Sequence, residues 1–260
     1  MSGMNASSAG MQQKYFDEET GFWYKEDYLG TEGLSEYAAT LLLKDCGIPH
    51  AEYEVCEFYL GKRKVTGCRS KDFLKEGEIL KTTFSLFKEF RGIDIAAKIA
   101  GCSVIDKVKF FVDGIVDITG IENFGNYMSD ILQFDAITKN DDRHFRNICV
   151  ITNDGVHFKS APIFDNGGAF LADKYTYGDC YSGNELYRTL DMVQAKPFST
   201  DFDEQLEACE KIYGASSLKL ARIKESDFVP VRKLYSEEDI ARAYAIIKEA
   251  ERKYSFAFRQ

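Results

Sequence analysis

The chain has 260 residues, with 42 acidic against 33 basic side chains and a formal net charge of −9. A hydrophobic content of 45% is ample for a sizeable core and excludes global disorder. The acidic balance, without a Lys/Arg-rich block, argues against a nucleic-acid backbone as main partner, and the apolar runs fall short of the roughly 18–20 residues of a membrane span.

In chain order, Lys14-Tyr15-Phe16 and Phe22-Trp23-Tyr24-Lys25 flank an acidic turn closing on Gly21, the pattern of a β-hairpin. Past Gly30 and Gly33, apolar residues at Leu34, Tyr37, Ala38, Leu41 and Leu42 form a helical stripe. Ala39 and Leu43 fill the other side, so this helix is expected to be buried on two faces before Cys46-Gly47-Ile48-Pro49 stops it. Strand-like runs Ala51–Leu60 and Lys64–Phe73 meet at Gly61-Lys62. Beyond Gly77 helices are expected over Ser85–Ala100, Ser129–Thr138, Asp201–Tyr213 and Ser236–Tyr254. One hairpin interrupts them: Ile148–Thr152, a turn at Asn153-Asp154-Gly155, then Val156–Phe164. The expected class is α+β, with a small β-rich lobe over residues 1–75, a larger helical lobe over 76–260, and a ligand cleft between them.

Seven cysteines fall singly, no CxxC pair occurs, and there are three histidines, so no spaced zinc set is read. Free thiols in a reducing compartment are expected. Met1–Met11 is small and polar, unlike a signal peptide. The expected localisation is cytoplasmic, with secretion by a leaderless route left open.

The densest polar cluster is Lys139-Asn140-Asp141-Asp142-Arg143-His144-Phe145-Arg146-Asn147, set between an apolar helix and a strand. The hairpin that follows is expected to return Asp165 beside Asn147. Asp142, Asn147 and Asp165 then converge as hard oxygen ligands, which suit Mg²⁺ held jointly with phosphates rather than zinc or copper.

Asp142-Arg143-His144-x-x-Asn147 followed by Asp165-Asn166-Gly167 resembles the catalytic and metal-binding loops of HipA-like serine/threonine kinases. The same D-R-H-x-x-N order occurs in phosphatidylinositol 3/4-kinases. Ser7-Ser8-Ala9-Gly10-Met11-Gln12-Gln13-Lys14 is similar to the S-G-x-Q-x-K phosphate loop of HipA-like kinases. Trp23-Tyr24-Lys25, Glu36 and Cys46-Gly47-Ile48 resemble their lysine strand, glutamate helix and following turn. The resemblance covers roughly residues 7 to 170 and no toxin extension, so it is to a kinase core.

This resemblance implies a role for each residue. Lys25 would pair with nucleotide phosphates and Glu36 would hold its ammonium, with Glu32 as the rival carboxylate and Lys14 as a second lysine. Gly10, Gln12 and the neighbouring backbone would cradle phosphates. The stretch around Cys68 and Ser70 would meet the adenine. Asp142 would accept or orient the hydroxyl proton, Arg143 and His144 would stabilise the phosphate or brace the loop, and Asn147 and Asp165 would hold the metal. Ser7 or Ser8 would be an autophosphorylation site. The expected function is thus ATP- and Mg²⁺-dependent transfer of the γ-phosphate to Ser or Thr of a protein, with no membrane or nucleic-acid partner. A phosphoinositide or small-molecule kinase and a nucleotide-binding pseudokinase are the alternatives.

Overall fold

Alternating aromatic runs broken by glycine turns favour antiparallel strands, and the first third of the chain folds accordingly. The computed structural model describes residues 4–7, 13–179 and 183–260, the side chains of 4–7 excepted. Strands β1 (Met4–Ser7), β2 (Lys14–Asp17), β3 (Phe22–Glu26), β4 (Tyr53–Leu60) and β5 (Arg63–Lys71) form one sheet in the order β1-β2-β3-β5-β4. A second sheet has the order β6-β7-β8, from β6 (Ile79–Thr82), β7 (Cys149–Thr152) and β8 (Phe158–Ser160). The α-helices are α1 (Glu32–Leu43), α2 (Thr83–Arg91), α3 (Ile95–Ile99), α4 (Val104–Thr119), α5 (Phe124–Thr138), α6 (Lys174–Tyr177), α7 (Gly183–Met192), α8 (Phe202–Tyr213) and α9 (Glu237–Lys253). Among the described residues, no helix is long and apolar enough to cross a membrane.

The chain divides into two compact units. The first takes in the chain up to Phe73, then Phe164–Val193 and Lys219–Gln260; the second is Leu74–Ile163 with Gln194–Leu218. In the first unit, Tyr24, Phe58 and Val65 pack together on one sheet face. Strand alternation turns Lys25, the residue after Tyr24, to the opposite face. Helix α1 packs on β4 and β5 and buries Leu34, Ala38, Ala39, Leu42 and Leu43, the two-faced burial its sequence implies.

The second unit is built around α5, whose residues are almost all buried. Phe111 of α4 anchors its aromatic core, with ring centroids 6.0 Å from Phe124, 5.0 Å from Phe145 and 5.3 Å from Phe198.

Several elements differ from the sequence reading. The helix expected over Ser85–Ala100 is two helices, because Gly92 adopts φ 67° and ends α2, and the Asp94 carboxylate then caps α3 by accepting from Ala97 N at 3.1 Å. Helix α4 stands where the sequence reading names no element, capped by Ser103 and closed by Gly120. β1 arises in the Ser/Ala/Gly-rich start and is recruited by pairing with β2; β6 joins β7 in the same way. The second arm of the hairpin is only Phe158–Ser160. The Asp154 carboxylate accepts from Val156 N and His157 N and so extends the turn, and Pro162 has no N–H for a longer ladder.

Candidate active site

In the first unit the β2–β3 register places Lys14 directly opposite Lys25. Like charges across a strand pair repel unless an anion lies between them. That anion is Asp165: Lys25 Nζ donates to its Oδ1 at 2.6 Å and Lys14 Nζ to its Oδ2 at 2.8 Å. Lys25 also donates to Glu36 Oε1 at 2.5 Å, and its ammonium lies 4.8 Å from the centroid of the Tyr53 ring. The lysine side chain is 5% exposed and that of Glu36 is 0% exposed, so neither charge has water as an alternative partner. Burial alone would lower the pKa of Lys25, but Asp165 and Glu36 outweigh it and hold the pKa well above the ordinary lysine value. Burial likewise works to raise the pKa of Asp165, and the attraction of Lys25 and Lys14 holds it well below the carboxylate range.

Local structure explains why these groups meet. Glu36 Oε2 accepts from Asn166 N at 3.0 Å, so one carboxylate joins the lysine strand, α1 and the Asp165 segment. Asp165 itself takes φ 61°, a left-handed conformation that aspartate tolerates better than most residues. Ser35 Oγ, on the residue before Glu36, donates to Ala169 O at 2.8 Å and ties the same segment to α1 a second time. Glu32, the rival carboxylate, is spent on its own loop, accepting from Leu29 N at 2.6 Å and Gly30 N at 2.9 Å.

Asp27, which the sequence reading passed over, fixes the start of α1. Its Oδ1 accepts from Gly33 N at 2.6 Å and its Oδ2 from Tyr235 Oη at 2.7 Å. A Cβ on Gly33 would lie 2.6 Å from that hydroxyl, so the approach requires glycine. Burial pushes the Asp27 carboxyl up to about 7, against the hydrogen bonds from Gly33 and Tyr235.

In the second unit the D-R-H-x-x-N loop is held from below. Asp135, fully buried on α5, receives Arg143 Nε on Oδ2 at 2.9 Å and Asn140 Nδ2 on Oδ1 at 3.1 Å. Arg143 is 1% exposed and also reaches Asn147 O at 3.3 Å. Of the two roles open to Arg143, its geometry is that of the brace. Asn140 Oδ1 accepts from Asp142 N at 3.2 Å, and Asn147 Nδ2 donates to Asp142 O at 2.9 Å. These bonds fix the backbone of Asp142 while its side chain stays 53% exposed. His144 is half-buried, and its Nδ1 is a buried atom with no hydrogen-bond partner among the described residues. Asp135 had a legible signal, a carboxylate in the middle of the apolar run Ile131–Ile137.

The remaining expected residues are less closely tied to these clusters. Gly10, Gln12 and Ser8 lie outside the described residues, as do the side chain of Ser7 and its proposed modification. Cys68 is 1% exposed and is the register partner of Lys25 on β5, and burial raises its thiol pKa well above the ordinary value. Ser70 is 6% exposed, paired with Trp23 and Tyr53 near the end of the same strand. Among the described residues no group of three His, Cys, Asp or Glu side chains could hold a metal. Asn147 and Asp165 belong to different units, and each offers hard oxygen. The Asn147 carboxamide turns its nitrogen onto Asp142 O, leaving its oxygen for a cation. Each of the two residues is a hard oxygen donor of the kind Mg²⁺ takes together with phosphate oxygens.

No protein-family model matches the sequence, and no curated protein matches it either. Among solved structures, a Helicobacter pylori proinflammatory kinase, CtkA, aligns with a TM-score of 0.59 at 17% identity, covering 98% of this chain and 93% of that one. A HipA from Shewanella oneidensis MR-1, solved with HipB and its operator DNA, aligns with a TM-score of 0.47 at 14% identity, covering 97% of this chain and 66% of that one. The chain shares the fold of the kinase CtkA, α+β with a small antiparallel sheet and a helical bulk. A net charge of −9 does not by itself exclude a nucleic-acid partner.

Proposed function

We propose that the chain is an ATP-dependent kinase that transfers the γ-phosphate to a Ser or Thr hydroxyl of a protein. The observation that carries this reading is the pair of opposed lysines, Lys14 and Lys25, converging on Asp165 with Glu36 behind. Asp165 and Glu36 already neutralise the two ammonium groups, and a strand lysine held by a helix glutamate beside an aspartate that can take metal is the arrangement phosphoryl transfer requires. The kinase fold shared with CtkA agrees with the reading.

In this reading the two ammonium groups bind nucleotide phosphates, and Glu36 keeps Lys25 extended toward them. Asp142, its backbone fixed and its carboxylate exposed, orients the acceptor hydroxyl and takes its proton, a contribution of about 10²–10⁴-fold. Mg²⁺, when bound by Asn147 and Asp165 with phosphate oxygens, supplies neutralisation of phosphate charge. Cys68 and Ser70 lie near the adenine, Gly10 and Gln12 cradle phosphate, and Ser7 or Ser8 is the site of self-modification.

Transfer from γ-labelled ATP to the protein itself and to a generic protein acceptor tests this, with Asp142→Ala and Asp165→Ala alongside. Both variants are expected to lose labelling. Labelling equal to wild type in both would overturn the site. Tight ATP binding without any transfer would make the chain a pseudokinase, and labelled lipid with no labelled protein would make it a lipid kinase.

A further inference from the structure

The D-R-H-x-x-N loop carries two arginines with partners away from the Asp142 carboxylate. Arg143 is committed to buried Asp135, and the Arg146 guanidinium lies 3.8 Å from the centroid of the Phe84 ring. A cation beside Asp142 comes from a segment with no motif: Lys196 Nζ is 3.8 Å from Asp142 Oδ1. Their side chains are 52% and 53% exposed, and an ion pair so exposed adds about 0–1 kcal/mol, so the fold does not depend on it.

The loop under Lys196 is nevertheless firmly built. Gln205, fully buried on α8, donates through Nε2 to Lys196 O at 3.0 Å and accepts through Oε1 from Phe198 N at 3.2 Å. Ala195 N donates to Thr200 O at 2.9 Å, and Lys107 Nζ to Phe198 O at 3.0 Å. Phe198, 1% exposed, packs its ring 5.8 Å from that of Phe145 within the D-R-H-x-x-N loop itself. The backbone is thus anchored on both sides of a side chain whose tip stands exposed beside Asp142, the construction expected of a functional group.

We propose that Lys196 is a catalytic residue whose ammonium contacts the transferring phosphoryl group beside Asp142, an inference that rests on the kinase reading above. In the transfer, the acceptor oxygen forms its bond to the γ-phosphorus as the bond to the β–γ bridging oxygen breaks. ADP leaves with that electron pair, the hydroxyl proton passes to Asp142, and Lys196 keeps its proton throughout. The ammonium offsets the repulsion between the Asp142 carboxylate and the phosphoryl oxygens, on which the transition-state charge is spread.

The test measures ADP formation from Mg-ATP with myelin basic protein as acceptor, for wild type, Lys196→Met, Lys196→Arg and Asp142→Asn, with thermal midpoints of all four. The expected result is a fall in kcat of about 10²-fold for Lys196→Met, with KM for ATP within about threefold. Lys196→Arg should recover most of the loss, and the thermal midpoints should stay unchanged. Unaltered kcat in Lys196→Met would overturn the proposal. So would a loss matched by a lower thermal midpoint and not recovered by arginine, which marks a structural role. Should wild type form no ADP, or no more than Asp142→Asn, the kinase reading itself falls and the role of Lys196 falls with it.

Discussion

The two units hold their functional charges in opposite ways. In the first, the charged groups that would meet a nucleotide stabilise one another: Lys25, Glu36 and Asp165 form one ion network with exposures of 5%, 0% and 15%. In the second, the buried pair Asp135–Arg143 lies beneath the site, and Asp142 stands 53% exposed above it. The charges proposed to bind substrate are therefore the same atoms that carry stability in one unit and different atoms in the other. A buried charge that loses its partner is left without solvent, whereas an exposed carboxylate is solvated with or without a ligand.

Replacing Lys25 should break this comparison most visibly. Lys25→Met leaves the Glu36 carboxylate buried without its cation, so urea unfolding should show a loss of about 3–5 kcal/mol along with loss of activity. Full stability in that variant would mean the network is not structural, and the contrast between the units would disappear.

Asp27 gives a smaller effect that depends on pH. Its carboxyl rises from 3.8 to about 7 in the folded chain, so the native state holds a proton that the unfolded state releases. Wild-type stability should therefore be favoured at acid pH and fall as pH rises through about 4 to 7. Against Asp27→Asn, which cannot titrate, the slope is at most about 1.4 kcal/mol per pH unit. Parallel profiles for the two proteins would show that Asp27 is ionised in the fold. The smallest stability change belongs to Asp142→Asn, expected within about 0.5 kcal/mol of wild type while phosphoryl transfer fails. A large destabilisation there would show that Asp142 shares the structural duty of the first unit's charges.

Much of the site is legible in the sequence for a local reason. Lys25 sits on an alternating aromatic strand, Glu36 on a helix apolar on both sides, and Asp142 and Asn147 between a buried helix and a buried strand. Asp135 and Asn140 went unread because a carboxylate inside an apolar helix declares that it needs a partner but not which one, and Arg143 lies eight residues on. Lys196 left no sign at all. Its neighbourhood is made by Gln205 and Phe198 through backbone bonds and ring packing that no local pattern encodes. Gly92 was visible, but only its positive φ separates α2 from α3.

Taken by itself, the sequence determined the β2–β3 hairpin, the burial of α1 and the β4–β5 pair, because periodicity and side-chain chemistry are local properties. Tertiary structure alone decided which charges became partners. Lys14 and Lys25 share Asp165 because of a strand register, Glu36 rather than Glu32 meets Lys25 because Glu32 is drawn into its own loop, and Arg143 turns inward because Asp135 is buried. Partner choice follows from which groups lose water together, and that is settled only when segments distant in sequence pack.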